Sequence, residues 1–179
     1  MHHEIAGELS QWLKVILNEE RIRADAACLL CRSGDITLER ENIFSGTGWL
    51  FFTAQGKIKE FFLEDAETII ISKHSLLASH ITVEQEDLST QYLTLVKVCG
   101  PGSIFITGKG DFVEYFLEEE ETAEVRTSSL TAIDTTVSFH MGSQFSRLTG
   151  PGAVILSSIL GMEKKPEPSQ TEFSLFDQL

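Results

Sequence analysis

The chain contains an internal repeat, because residues 46–84 align without a gap with residues 100–138. Identity over this stretch is roughly 40%, and a period of about 50 residues is typical of one supersecondary unit that is used more than once. The shared positions include glycines and aromatic residues, such as Gly48 with Gly102 and Phe51 with Phe105. This repeat constrains the fold more strongly than any other feature of the sequence.

A weaker third copy lies at the start of the chain, and a fragment of the unit recurs near the end. Once small insertions and deletions are allowed, the matching segments are 12–17 with 58–63, 29–31 with 76–78, 36–39 with 81–84, and 150–156 with 100–106. We therefore predict one domain over residues 1–160 that holds three copies with pseudo-threefold symmetry. The predicted copies span about 2–40, 46–87 and 100–140, with a closing strand at 150–158.

The repeated unit has the pattern of β structure. Its apolar or alternating runs are short, rich in β-branched and aromatic residues, and separated by glycine, acidic or polar turns. The predicted strands are 49–53, 57–63, 68–72, 76–78 and 81–84 in one copy, and 103–107, 111–117, 123–127 and 137–140 in the next. Residues 86–91 are polar and are predicted to form an exposed loop. Short antiparallel strands at this spacing predict an all-β fold of repeated antiparallel β-sandwich units.

The N-terminal segment fits two secondary structures. Ile5, Leu9, Leu13 and Ile16 are spaced three to four residues apart, which is typical of an amphipathic helix. The repeat alignment instead places residues 12–17 on a strand, and we favour the strand because the alignment extends over a whole unit. A helix over residues 5–17 is the alternative.

The composition excludes some classes of partner. With 14 basic and 27 acidic residues, the formal charge is -13, so the surface repels nucleic acid and acidic membranes. No run of about 18 apolar residues is present, and the N-terminus lacks the pattern of a signal peptide. Cys28, Cys31 and Cys99 are too few for a disulfide framework, which favours a reducing compartment. We therefore expect a cytoplasmic protein without a transmembrane segment.

The composition changes after Gly161. Residues 163–170 include two prolines and no apolar side chain, so residues 161–179 are predicted to form a flexible, acidic, proline-containing tail. Four apolar side chains follow at the end of this tail: Phe173, Leu175, Phe176 and Leu179. They form a candidate docking segment for a protein partner, and the alternative is a frayed end.

The motifs that suggest chemistry each have a structural explanation. The glycine pairs at 46–48, 100–102 and 150–152 precede strands, whereas a phosphate-binding loop precedes a helix, so we interpret them as turns. Cys28 and Cys31 have no second pair to complete a zinc site, and the run of acidic residues 118–121 matches a turn in the other copy. No Gly-x-Ser-x-Gly sequence occurs. We therefore predict no catalytic, cofactor-binding or metal-binding residues.

Three sequence features resemble the Altered Inheritance of Mitochondria protein 24 family. They are the Gly-Pro-Gly sequences at 100–102 and 150–152, the acidic turns after Leu63 and Leu117, and residues 26–30 followed by 34–37. The resemblance covers about residues 2–158. It implies a fold like that of the tryptophan RNA-binding attenuation protein, and it implies no catalytic residues.

These observations lead to two functional hypotheses. The first is a non-enzymatic scaffold or assembly protein that acts through self-association or protein partners, since the repeated β units offer exposed sheet edges. The alternative is a small-ligand-binding or metal-dependent β-sandwich protein. Binding of single-stranded nucleic acid ranks below both because of the acidic charge.

Overall fold

The computed structural model describes residues 1–160, and these residues form antiparallel β-sheets with very little helix. The all-β prediction is therefore confirmed. The strands are β1 (His2–Ala6), β2 (Trp12–Ala24), β3 (Leu29–Arg32), β4 (Ile36–Leu38), β5 (Ile43–Thr53), β6 (Ile58–Leu63), β7 (Thr68–Ser72), β8 (Leu76–His80), β9 (Glu84–Ser89), β10 (Thr94–Cys99), β11 (Gly102–Thr107), β12 (Phe112–Leu117), β13 (Thr122–Arg126), β14 (Leu130–Asp134), β15 (Ser138–His140), β16 (Phe145–Thr149) and β17 (Gly152–Ser157). Short 3-10 helices occupy Ala26–Cys28, Arg40–Asn42, Lys73–Ser75 and Thr127–Ser129.

The strands form three sheets. In the largest, the order is β3-β5-β2-β8-β11-β6, with β1 added to β2 and β4 added to β5. A six-stranded sheet has the order β12-β17-β14-β7-β10-β9, and a three-stranded sheet has the order β13-β16-β15. The two larger sheets therefore combine strands that are distant in sequence.

The core follows from the alternation of apolar and polar residues along the strands. Phe44, Phe52 and Phe105 are fully buried, and they belong to a cluster that joins side chains of residues 13–78 with Phe105. Two further clusters fill the space around β10 and β14, and they include Ile71 and Leu95. Each fully buried side chain of this size contributes about 1.5–3 kcal/mol through removal of apolar surface from water.

The N-terminal ambiguity is resolved in favour of strands. The predicted strand at residues 12–17 is confirmed, since β2 runs from Trp12 to Ala24 and pairs with β1, β5 and β8. Leu13, Val15 and Leu17 are buried while the residues between them are more exposed. This period of two buries one face of the strand, and it outweighs the helical spacing of the other apolar residues.

The predictions for residues 81–84 and 86–91 were wrong. Residues 81–83 form a turn, closed by a hydrogen bond in which the Val83 N–H donates to the His80 carbonyl at 3.1 Å. The polar residues after this turn form β9, which pairs with β10 along its whole length. An edge strand is held by backbone hydrogen bonds and tolerates polar side chains on both faces, so the hydrophobic pattern does not reveal it.

Two of the three predicted glycine turns lie where a strand begins, at Gly102 and Gly152. The third prediction was wrong, because Gly46 and Gly48 lie inside β5. Their φ angles of 127° and 151° allow the strand to continue past a register shift in the pairing of β2 with β5. The predicted tail and its docking residues Phe173, Leu175, Phe176 and Leu179 lie outside the described residues.

Candidate functional site

Two junctions inside the molecule show how strands from different parts of the chain are joined. At the first, β8 pairs with β2, and at the second, β14 pairs with β7. The opposed residues are Ala24 with Ala78, Arg23 with Ser79 and Ile22 with His80 at the first junction, and Ile71 with Ala132, Ile70 with Ile133 and Ile69 with Asp134 at the second. The two junctions therefore have the same register when positions are counted from the neighbouring 3-10 helices.

Strand β3 occupies the same local position as β8 and β14. All three begin with a leucine directly after a 3-10 helix, at Leu29, Leu76 and Leu130. Each of the three strands also pairs on one side with a strand that comes later in the chain. In each of these pairings the register shifts directly after the leucine. However, β3 ends its sheet, and among residues 1–160 no other strand pairs with its outer edge.

The burial of side chains reflects this difference. Leu30 is 60% exposed, whereas Leu77 and Thr131 at the same position of β8 and β14 are 1% and 0% exposed. Cys31 and Arg32 are also exposed, while their counterparts in the two inner strands are buried. Strands β8 and β14 therefore differ from β3 in one feature: each has a neighbouring strand along its outer edge, and β3 has none.

Strand β13 also ends a sheet, as do β6, β9, β12 and β15. Like β7, it directly precedes a 3-10 helix, but it pairs only with β16 among the described residues. Val125 is buried in the core, and Thr122 and Glu124 are exposed. Next to this edge, the Arg126 guanidinium lies 4.7 Å from the centre of the Phe145 ring.

Both open edges carry charged side chains: Arg32 on β3, and Glu124 beside Arg126 on β13. Neither Arg32 nor Glu124 forms an ion pair with another of residues 1–160. Glu124 is opposite Arg147 in the register of β13 with β16. We call β3 and β13 the open edges, and they form the candidate association site.

A groove of about 1130 Å³ lies beside the first junction. Its walls come from β2, β8, the 3-10 helix Lys73–Ser75, and the hairpin of β9 and β10. Several of its charged groups are already engaged. Lys73 Nζ lies 2.8 and 3.0 Å from the two carboxylate oxygens of Asp87, and the Arg23 guanidinium donates to the Val83 carbonyl at 3.3 Å.

His74 borders this groove and hydrogen-bonds through Nδ1 with the Ser72 hydroxyl, at 2.9 Å. Although His74 is partly exposed, desolvation by the protein atoms around it lowers the pKa of His74, and the positive charge of Lys109 lowers it further. The ring is therefore neutral at pH 7, and it offers the groove a polar group without a charge.

The acidic turns have a structural role. A carboxylate oxygen of Glu67 accepts a hydrogen bond from the Glu64 N–H at 2.9 Å, and Glu121 does the same for Glu118 at 2.8 Å. This explains why the acidic residues recur at this spacing, since each pair closes the turn between two strands. A role in binding cations is not needed to account for them.

The cysteines and histidines are dispersed. Cys28 Sγ lies 3.7 Å from an Asp25 carboxylate oxygen, and burial followed by the Asp25 charge raises the pKa of its thiol. His3 Nε2 lies 2.9 Å from a Glu60 oxygen, and His80 Nδ1 lies 2.7 Å from the Thr82 hydroxyl. Within residues 1–160, no three metal-ligating side chains come together, and no helix is long and apolar enough to cross a membrane.

Sequence reasoning did not identify the open edges. The signal was present, because residues 29–31 align with residues 76–78 of the next copy. The alignment shows that β3 and β8 are equivalent, but it does not show which of them is paired on its outer side. That difference depends on the position of each copy along the chain.

Comparison with known proteins places this chain in context. Its sequence matches the family described as mitochondrial biogenesis AIM24 over residues 3–159. Its structure is similar to the crystal structure of a Streptococcus pyogenes protein from a structural genomics consortium, with a TM-score of 0.73 and 11% sequence identity. The alignment covers 89% of this chain and 94% of the other, and at this identity it shows the fold alone. No curated protein matches the sequence.

Proposed function

This chain is a member of the AIM24 family, as its motifs indicated, and we propose that it is a non-enzymatic assembly protein that binds protein chains through the open edges of its sheets. The observation that carries the proposal is the difference between β3 and its inner counterparts. Leu30 on β3, which has no strand along its outer edge, is 60% exposed, while Leu77 on β8, which pairs with β2 and packs in the core, is 1% exposed.

We further propose that the architecture consists of three copies of one six-stranded unit with pseudo-threefold symmetry. The strands from β6 to β11 and from β12 to β17 follow the same order, with a 3-10 helix after the second strand. In both regions the first strand pairs with the last, and the second pairs with the fifth. In the first copy, β2 and β5 would each correspond to two of these strands, joined through a register shift.

Open edges suit this role for a physical reason. An edge strand carries unpaired backbone N–H and C=O groups, and a strand from another chain satisfies them by extending the sheet. Backbone pairing supplies affinity, while the side chains on each face select the partner. The formal charge of -13 disfavours nucleic acid as that partner.

Association can be tested by measuring molar mass over a wide range of concentrations, together with capture of partners from a native extract. We expect a mass above the 19.9 kDa of one chain, or a retained protein whose binding is lost when Leu30 is changed to lysine. Comparison of the full chain with a chain ending at Gly161 would show whether Phe173, Leu175, Phe176 and Leu179 contribute. A strictly monomeric protein that retains no partner would contradict the proposal.

The groove beside the first junction favours a second candidate function, binding of a small molecule. Its volume of about 1130 Å³ is enough for a drug-sized ligand, and it combines apolar walls with Tyr92 and His74. Ligand screening by thermal shift, with metal analysis of untagged protein, tests this candidate. A ligand that raises the melting temperature of the protein, but not of a Tyr92→Ala variant, would support it.

A further inference from the structure

We propose that the partner at the open edges is a second copy of this chain, with β3 of one copy paired to β13 of the next. This inference rests on the proposed assembly function and specifies its partner and geometry. The two junctions within the molecule, which we call the inner junctions, serve as the template. In each of them a strand that follows a 3-10 helix, as β3 does, pairs with a strand that precedes a 3-10 helix, as β13 does.

The register follows from the inner junctions. At the first junction Ala78 faces Ala24, and at the second junction Ala132 faces Ile71. In each pair, the alanine is the third residue after the 3-10 helix that precedes its strand. Its partner lies two positions before the 3-10 helix that follows the other strand. The same positions at the open edges are Cys31 and Val125. The register then places Arg32 opposite Glu124, and Ser33 opposite Ala123.

The side chains fit this register. Cys31 is small and Val125 is β-branched, which resembles the pairing of Ala132 with Ile71 at the second junction. Arg32 and Glu124 are exposed residues of opposite charge, so their pairing across the strands is favourable. Leu30, which is 60% exposed, would become covered as Leu77 is.

The backbone groups also fit. At the first junction the Asp25 N–H donates to the Leu77 carbonyl at 2.9 Å, just beyond the paired residues. The corresponding groups at the open edges are the Arg126 N–H and the Leu30 carbonyl. Pairing would therefore extend along the whole of β3 and end at the same point as in the inner junction.

The sheet order points to a second copy as the occupant. In the six-stranded sheet, β12, β17 and β14 join β7, β10 and β9, so two groups of three strands meet at the junction of β14 with β7. The three-stranded sheet β13-β16-β15 matches the second group and lacks the first. The strands β3, β5 and β2 match the first group, but they lie in another sheet and do not pair with β13.

A second copy supplies what each end of the chain lacks. The β3 strand of the second molecule would complete the three-stranded sheet of the first molecule. The β13 strand of the second molecule would stay open for a third molecule. Because the two surfaces differ, the contact is heterologous and repeats from copy to copy, and it produces either a closed ring or a growing filament.

Charge reversal tests the contact in the full chain. We expect Arg32→Glu to weaken self-association by roughly tenfold or more, since it places two acidic residues opposite each other. Arg40→Glu is the matched control: it makes the same charge change on an exposed residue outside β3, and should leave association unchanged. The double variant Arg32→Glu with Glu124→Arg should restore association. Circular dichroism checks the fold, because Glu124→Arg also places a second arginine opposite Arg147.

Disulfide cross-linking tests the register. In a Cys31→Ser background, one protein carries Arg32→Cys and a second carries Glu124→Cys. Directly opposed residues on antiparallel strands have Cα atoms about 4.5–5.5 Å apart, which suits a disulfide. We expect the mixture to form a covalent dimer that contains one chain of each kind. The register control replaces Glu124→Cys with Thr122→Cys, which lies two residues away on the same exposed edge and should cross-link much less.

The outcomes separate this inference from the proposed function. Oligomers that survive Arg32→Glu and give no Arg32→Cys to Glu124→Cys bond would overturn the inference, while the assembly function stands. A monomer that forms this bond within a single chain carrying both cysteines would assign the pairing to one molecule and also overturn it. A monomer without the bond and without any captured partner would overturn both.

Discussion

Leu30 and Leu77 hold the same position after a 3-10 helix, yet their surroundings differ. Leu77 is 1% exposed and packs in the core, whereas Leu30 is 60% exposed at the open edge. We expect Leu77→Ala to lower the free energy of unfolding by about 2–5 kcal/mol, because it removes buried methyl groups and leaves a cavity. Leu30→Ala should change it by no more than about 0.5 kcal/mol in the monomer. Urea unfolding of dilute protein measures both values.

The same pair distinguishes stability from association. Leu30→Ala should weaken self-association even though it leaves the monomer stable, since its side chain would be covered only in the assembly. A Leu30→Ala variant that is destabilised as strongly as Leu77→Ala would mean that the open edge is covered within the monomer.

Gly102 occupies a backbone conformation that other residues rarely adopt, with a φ angle of 142°. A Cβ atom there would lie 2.9 Å from Thr82 Oγ1 and 3.0 Å from Val83 Cγ2. We expect Gly102→Ala to destabilise the protein by about 1–3 kcal/mol, through strain of the backbone and crowding against the turn. Gly34→Ala is the control, because a Cβ at Gly34 meets nothing within 4 Å. Equal unfolding free energies for the two variants would contradict this explanation.

His74 gives stability a dependence on pH. Its pKa in the folded protein is lowered from the ordinary 6.5, so the unfolded chain takes up the proton first as the pH falls. The stability linked to this ring is therefore present above pH 6.5 and is lost as the pH falls from about 6.5 towards the folded pKa. A His74→Gln variant should lose less stability than the wild type over this interval, and above about pH 7.5 the difference between them should be constant. Thermal melts at a series of pH values measure this, and parallel curves throughout would contradict it.

At the scale of elements, the sequence predicted strands best where apolar residues lie on a buried face. Strand β7, with four buried residues, agrees with its predicted bounds of 68–72. Strand β9 was missed because its residues are mostly exposed and polar, and its pairing depends on β10 rather than on its own composition. The open edges could not be predicted for a related reason: the equivalence of β3 and β8 is visible in the sequence, but the presence of a strand beside each is a property of the assembled sheets.

Hydrogen exchange distinguishes paired from open edges. Amides of β14 are held between β7 and β17, so they should exchange slowly at all concentrations. The amides of β3 and β13 that point away from β5 and β16 should exchange fast in dilute protein and slowly in concentrated protein. Strand β6 is the control, since it also ends a sheet but is not part of the proposed contact. Equal protection of β3 and β13 at all concentrations would contradict pairing between copies.

At the scale of the whole molecule, two junctions between strand groups are paired within residues 1–160, whereas β3 and β13 are not paired with each other. The junctions of β8 with β2 and of β14 with β7 are complete, while β3, with Arg32, and β13, with Glu124, each end a sheet. These unpaired edges support the proposed assembly function, because a strand from another molecule could pair with each of them.

The formal charge of -13 on each copy opposes this assembly at low ionic strength. Long-range repulsion between copies is screened at a Debye length of about 10 Å in 0.1 M salt, while the single Arg32–Glu124 pair is an edge contact worth about 0.2–1 kcal/mol. Because 13 net negative charges per molecule stand against one attractive pair, we expect repulsion to dominate the salt dependence, so self-association should strengthen as salt rises from about 0.02 to 0.15 M. Sedimentation velocity at several salt concentrations measures the effect. Association that weakens steadily over this range would mean that attraction between charged surfaces, and not strand pairing with burial of Leu30, holds the copies together.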